Sequence, residues 1–338
     1  MEEYIPENQR NYNDYPTNNP KNDEQKNRSF FNESALNNTL PMWEKIIFFV
    51  LGWLGFKFLS LVVQVILSPL YKAVGSNMFS CILMLVVYGL MAIFFAIFFI
   101  VDKKAGKALI NDFKDYKAML LGVGICFLLL FVNAIISSIY SKAFPNIYGA
   151  NSNQSGLNTE VATSPVMLFF PIVLFAPFTE ELTYRVGLVD TFGHKKRWLG
   201  VLISALIFGL IHFSFESILL YANYDGLLAQ GYSSLIKGYD AIGEAIYYTK
   251  NEMYIQMINE FLNLPIYILA GLIFGFGYAY TGKISTSMTA HVVNNLLSYV
   301  SILISLNAST SSQAVNMFRV FIKWVYLRNY LYLLLSLK

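Results

Sequence analysis

The residues of this chain best suited to chemistry sit where polar groups are least expected. Glu180, Glu181 and Arg185 lie within SPVMLFFPIVLFAPFTEELTYRVGLVD, His212 within WLGVLISALIFGLIHFSFESILLY, and His291, Asn294 and Asn295 within ISTSMTAHVVNNLLSYVSILI. Each charge at the centre of an isolated membrane helix costs about 2.5–3.5 kcal/mol, so three would cost on the order of 8–10 kcal/mol if nothing offset them. Such groups must face a protein interior or a water-filled cavity. Glu181 and Arg185, four apart, share a helix face and can pair. Glu180 is turned roughly 100° away and is free to point elsewhere. His291 and Asn295 share a face in the same way. Pro177, just before the glutamates, removes one helix hydrogen bond and frees a carbonyl.

Two carboxylates, two imidazoles, an amide and an arginine in a desolvated cavity suit hydrolysis. A carboxylate in low dielectric becomes a useful base near neutral pH. Glu180 is the candidate base, with His212 holding the water or sharing its proton. A neutral His291 and the Asn295 amide are candidate donors to the oxyanion of a tetrahedral intermediate. Arg185 would hold Glu181 and shape the cavity. The residue types also leave a metal open. Glu180, His212 and His291 are candidate ligands for a divalent ion such as zinc, with water in the fourth position. The helical HExxH spacing is absent.

The elements that must position these groups are membrane helices. The chain has 338 residues, 56% hydrophobic and 13% charged, with mean hydropathy +0.48. Soluble domains average about 45–50% apolar and about 25% charged. A spanning helix needs about 20 apolar residues. Stretches near 44–70, 79–101, 117–141, 165–189, 198–220, 262–281 and 284–306 qualify. An eighth near 315–337 is interrupted by Arg319, Lys323 and Arg328 and has an interfacial helix as its alternative. The expectation is an all-α polytopic bundle of about eight spans, with a catalytic core on four consecutive spans. Residues 1–41 form a polar tail lacking the apolar content for a core, and 42–338 the membrane domain. The 221–261 segment reads as a connecting loop, with EAIYYTKNEMYIQMINEFL able to form a short surface helix.

Lysines and arginines cluster in the tail, in 102–117 (Lys103, Lys104, Lys107, Lys114, Lys117) and in 190–197 (Lys195, Lys196, Arg197), against scattered Lys72, Lys142, Lys237 and Lys250 on the other side. The positive-inside rule then places the N-terminus in the cytoplasm of a multi-pass cell-membrane protein. His194 falls in the basic turn and Glu216 near a span end, both reading as interfacial. Cys81 and Cys126 read as ordinary helix residues. Gly271, Gly275 and Gly277 offer close helix approach. The net charge of +3 gives no argument for nucleic acid.

Three motifs occur in order: Glu180-Glu181-Leu-Thr-Tyr-Arg185, Phe208-Gly-Leu-Ile-His212 and His291-Val-Val-Asn-Asn295. On these the chain resembles the CAAX protease and bacteriocin-processing (CPBP) family, which includes the eukaryotic Ras-converting enzyme. The resemblance covers about 165–306. The family often has Phe before the arginine and Gly after it; here they are Tyr184 and Val186, with Gly187 one place later, and the 221–261 loop looks like an insertion. The resemblance implies an intramembrane endopeptidase. Glu180 and His212 would activate water, His291 and Asn295 would form the oxyanion site, and Glu181 and Arg185 would support them. The family is described both as metalloprotease and as metal-independent glutamate protease. It implies a membrane-associated peptide or protein substrate, not necessarily prenylated, and the Asn-, Lys-, Ile- and Tyr-rich composition suits an AT-rich bacterium.

Two other classes fit the same residues. In a non-catalytic immunity or scaffold protein binding a peptide partner, the polar cluster would be structural. A transporter would use Glu180, Glu181 and Arg185 in an ion path, although no repeated half with matched broken helices is visible.

Overall fold

The computed structural model describes residues 30–239 and 245–309. The tail up to residue 29 and the segment 315–337 lie outside the described residues, as does the His194 side chain. Among the described residues six helices are long and apolar enough to cross a membrane: Met42–Val74, Ser76–Val101, Tyr116–Ala143, Pro165–Phe192, Lys250–Thr281 and Ile284–Leu306. We number these the first to fourth, sixth and seventh spans. The fifth is a pair, Arg197–Ile211 and Phe215–Ala222, bent by 52°. The chain is thus an all-α polytopic bundle, with one two-stranded antiparallel sheet, Ile236–Tyr239 with Ala245–Tyr247, outside it.

Four boundaries differ from the sequence reading, each for an identifiable reason. The 198–220 stretch breaks after Ile211, where the polar residues His212, Ser214, Glu216 and Ser217 follow and the chain is caught from outside. The buried Glu260 carboxylate accepts the Ser214 N–H at 3.2 Å. The sixth helix starts at Lys250 rather than 262, on a capping box of Thr249 and Glu252. Its 32 residues reach roughly 48 Å at 1.5 Å per residue, beyond a hydrocarbon core of about 30 Å. A helix at Ser152–Thr163, not foreseen, comes after the third span. Residues 31–40 belong to the bundle rather than to a tail. Ser34 caps the Ala35–Thr39 turn, and Leu36 and Leu40 are buried beside Phe48 and Phe95. That segment is tied down at Asn32, whose N–H donates to Ala279 O at 3.1 Å and whose carbonyl accepts from Arg197. Arg197 is itself paired with buried Asp190 at 2.8 Å, which also accepts from Tyr278 at 2.6 Å.

The fourth span is the most buried of the spans. Its regular turns are interrupted by wide π-helical turns at Phe170–Phe175 and Leu182–Val186. The second lets Gly187 N–H reach Leu182 O at 2.8 Å, five residues back. One extra residue in a turn rotates the helix beyond it, and this brings Gly187 against the first span. A Cβ there would lie 2.7 Å from Phe49 N and would also strike Thr183 O. Gly271 does the same between the fifth and sixth helices, where a Cβ would lie 2.8 Å from Ala205 Cα. The start of the seventh span is held by Asp112, whose carboxylate accepts from Ile284 N–H and the Ser285 hydroxyl, both at 2.8 Å. Burial pushes this carboxyl above its usual range, against the lowering effect of those bonds.

Gly187→Ala is expected to destabilise the protein by about 1–3 kcal/mol through overpacking, read as a lower thermal midpoint in detergent. Gly124→Ala, where a Cβ meets nothing within 4 Å, should leave the midpoint unchanged.

Candidate active site

The two adjacent glutamates of the fourth span point to different surroundings. Glu181 is fully buried and receives three donors: Arg185 Nε at 2.9 Å, Arg185 Nη2 at 3.3 Å and His291 Nδ1 at 3.0 Å. The arginine contact is two-pronged and so fixes orientation as well as charge. Arg185, also fully buried, donates from Nη1 to Ser204 of the fifth span at 2.8 Å, and Ser204 donates to Tyr184 O. One cluster therefore joins the fourth, fifth and seventh spans.

Glu180 faces a cavity of about 540 Å³. Its side chain keeps 14% exposure where Glu181 keeps none. Oε1 accepts from the Tyr88 hydroxyl of the second span at 3.1 Å. Oε2 lies 3.9 Å from His291 Nε2, a gap beyond hydrogen-bond length. His212 lines the same cavity. The Phe208 ring lies between the two imidazoles, 4.9 Å from His212 and 5.8 Å from His291 by ring centres.

His212 and Asn295 also complete helices. The fifth helix ends at Ile211, and the His212 N–H turns to Gly209 O, leaving Phe208 O without its usual partner. The His212 Nδ1 takes that carbonyl at 2.8 Å. A carbonyl only accepts, so Nδ1 carries the hydrogen and Nε2 holds the lone pair. In the fourth span Pro177 has no N–H to give Ile172 O in the wide turn, while the Ala176 N–H goes to Pro171 O. Asn295 Nδ2 donates to that carbonyl instead, at 2.9 Å, and its Oδ1 accepts from Asn294 at 3.2 Å.

All six candidate residues thus converge, with Asn294 beside them, and their contacts constrain two of the expected donors. One Asn295 N–H is committed to Ile172 O, leaving a single hydrogen for a ligand. His291 donates from Nδ1 to a carboxylate, so a neutral ring has no hydrogen on Nε2. Nε2 can donate only from the cationic ring, which then bridges Glu181 and Glu180.

Four residues escaped the sequence reading. Tyr88 is one. Asn133 of the third span lines the cavity, and its buried Oδ1 has no hydrogen-bond partner. Glu260 accepts the N–H groups of Ser152 at 2.6 Å and Ser214 at 3.2 Å and the Asn151 amide at 3.4 Å. It thereby grips both the cavity rim and the turn that carries His212. Tyr267 stacks on His212 at 4.6 Å and donates to Asn151. Tyr88 and Asn133 are single polar groups within apolar runs, the signal that exposed the other residues. Among the described residues no three His, Cys, Asp or Glu groups are arranged to hold a metal ion. Glu180, His212 and His291 as placed therefore do not fit a metal site.

Arg185→Met is expected to cost about 3–5 kcal/mol, because it strands a buried carboxylate. The double variant Glu181→Gln/Arg185→Met should lose less than the two singles summed. Denaturant unfolding in detergent measures both, and strictly additive losses would dissolve the pair.

Residues 162–297 match the family model described as Type II CAAX prenyl endopeptidase Rce1-like. The UPF0177 protein YvdC of Lactococcus lactis subsp. lactis (strain IL1403) is 33% identical over 86 residues, 25% of this chain and 33% of that protein. The matched stretch thus spans a third of that relative's length. No solved structure matches the chain. The matched stretch contains all three motifs and the buried cluster they build, so residues 162–297 are similar to the Rce1-like type II CAAX prenyl endopeptidases in the part of the chain that forms the site.

Proposed function

We propose that the protein is an intramembrane endopeptidase acting on membrane-associated peptides or proteins, with Glu180 as the base. The carrying observation is the Glu180 carboxylate at the cavity wall. One oxygen is held by Tyr88, and the other stands 3.9 Å from His291 with His212 on the same cavity. The Rce1-like match supports the reaction class.

A water seated between Glu180 Oε2 and the His212 Nε2 lone pair would have two acceptors for its hydrogens. Glu180 takes one proton as the water oxygen attacks the scissile carbonyl. The oxyanion that forms receives the free Asn295 N–H and the Nε2–H of a cationic His291. Glu180 then passes its proton to the leaving amine as the C–N bond breaks. Glu181 and Arg185 do not touch the reacting atoms in this scheme. They orient His291 and balance its charge, which makes them positioning residues.

The test uses purified protein and a quenched-fluorescence library of membrane-anchored peptides. Wild type is compared with Glu180→Gln, each with and without a chelator. Glu180→Gln should lose about 10²- to 10⁴-fold in turnover, the usual contribution of a general base, with an unchanged melting profile. Undiminished cleavage by Glu180→Gln would remove the base assignment. Loss of wild-type cleavage on chelation, restored by zinc, would replace this water-activation scheme with a metal-assisted one.

A further inference from the structure

The cavity lies on one side of the site only. Along the third span its lining face is Leu129, Asn133 and Ser137, four residues apart, leading toward the 144–151 loop. Along the sixth helix it runs from Phe274 back through Tyr267 to Asn263, toward the end at Lys250. Gly149 and Ala150 form its rim. On the other side of the glutamates the bundle is closed by buried groups. There Arg185, Ser204 and Tyr278 have no exposure.

The two faces differ in charge. The closed face carries Lys103, Lys104, Lys107, Lys114, Lys117, Lys195, Lys196 and Lys283 at its helix ends and loops. The open face, among the described residues, carries Lys72, Lys142, Lys237 and Lys250. Lys237 and Lys250 are paired with Glu252 at 2.6 Å and Asp225 at 2.5 Å. Lysine-rich short loops stay in the cytoplasm, so the cavity opens on the opposite face.

The lining above the site sets uncharged polar groups among apolar side chains. Asn133, Asn153, Gln154 and Asn263 present carboxamides, which match the donor and acceptor pattern of a peptide main chain. Asn133 Oδ1 is buried without a partner, a state costing about 1–3 kcal/mol unless a donor arrives. Glu180 lies fifteen residues from Pro165 along the fourth span, roughly 22 Å at 1.5 Å per residue. An extended chain covers that depth with about six or seven residues.

Resting on the peptidase reading, we propose that the substrate reaches Glu180 from the extracytoplasmic face, as an extended uncharged stretch of peptide whose main-chain N–H pairs with Asn133. The chemistry selects an exported or outward-facing chain end and disfavours charged residues in the stretch that occupies the cavity.

The test has two independent arms on the full-length protein in membranes. In the first, Ala150→Cys on the rim and Lys107→Cys on the lysine-rich face are probed with a membrane-impermeant maleimide; native Cys81 and Cys126 have no exposure. Ala150→Cys should label in intact cells and Lys107→Cys only after permeabilisation. The reverse pattern overturns the proposal whatever the protein's activity. In the second, an uncharged quenched-fluorescence peptide is added to right-side-out and inverted vesicles. Cleavage should be at least about tenfold faster in the former, and Asn133→Leu should raise KM by about tenfold, the worth of one hydrogen bond to a buried acceptor. Preferential cleavage in inverted vesicles, or an unchanged KM in folded Asn133→Leu, defeats the assignment. Cleavage in neither vesicle type defeats the peptidase reading itself, while the labelling still decides the face.

Discussion

An ionised arginine is tolerated among apolar helices only if its charge and all its donors are met. Here Glu181 meets the charge, and Ser204 takes a further donor. The remaining capacity of Glu181 goes to His291. Because each partner sits on a different span, the fourth, fifth and seventh spans cannot slide past one another without stranding a polar group in a medium that offers no replacement. Desolvation thus sets the register of the bundle at the depth where Glu180 stands. Glu180 faces the cavity and is held at one oxygen by the Tyr88 hydroxyl, and that difference between neighbouring residues is what the proposed base assignment draws on.

The site side chains also serve the backbone. His212 supplies the donor missing at Phe208 O where the fifth helix stops, and Asn295 supplies the one that Pro177 cannot give to Ile172 O. In each case one hydrogen-bonding group is committed to main chain, and this determines what the other can do. For His212 it leaves a lone pair, suited to accept from water. For Asn295 it leaves one hydrogen, suited to donate. The spacing Phe208-x-x-x-His212 has a local meaning as well: the carbonyl four residues back is the one a ring nitrogen at a helix end can reach.

Much of this was legible from sequence, since a membrane helix makes every polar residue conspicuous. Glu180, Glu181, Arg185, His212, His291 and Asn295 stood out for that reason, and their helical spacing foretold the Glu181–Arg185 pair. Tyr88 and Asn133 meet the same criterion, each being a polar group within an apolar run. The break after Ile211 was not legible, because its cause, Glu260, lies far along the chain. Its own context, NEMYIQMINEFL, resembles a surface segment. The sixth helix start was readable in Thr249-x-x-Glu252, a capping signature that outweighs the polar character of the next turn. For residues 31–40 only Ser34 and the leucine pair Leu36 and Leu40 hinted at a packed turn.

The position of Glu260 has a mechanical consequence. One carboxylate holds the backbone of the cavity rim through Ser152 and the backbone beyond His212 through Ser214. The Ser152 bond, at 2.6 Å, is the shorter of the two. Whatever pulls the rim outward to widen the mouth draws on the same anchor that steadies the imidazole. The rim and the turn after His212 are thereby tied to one point, so a displacement of either is transmitted to the other through a single side chain.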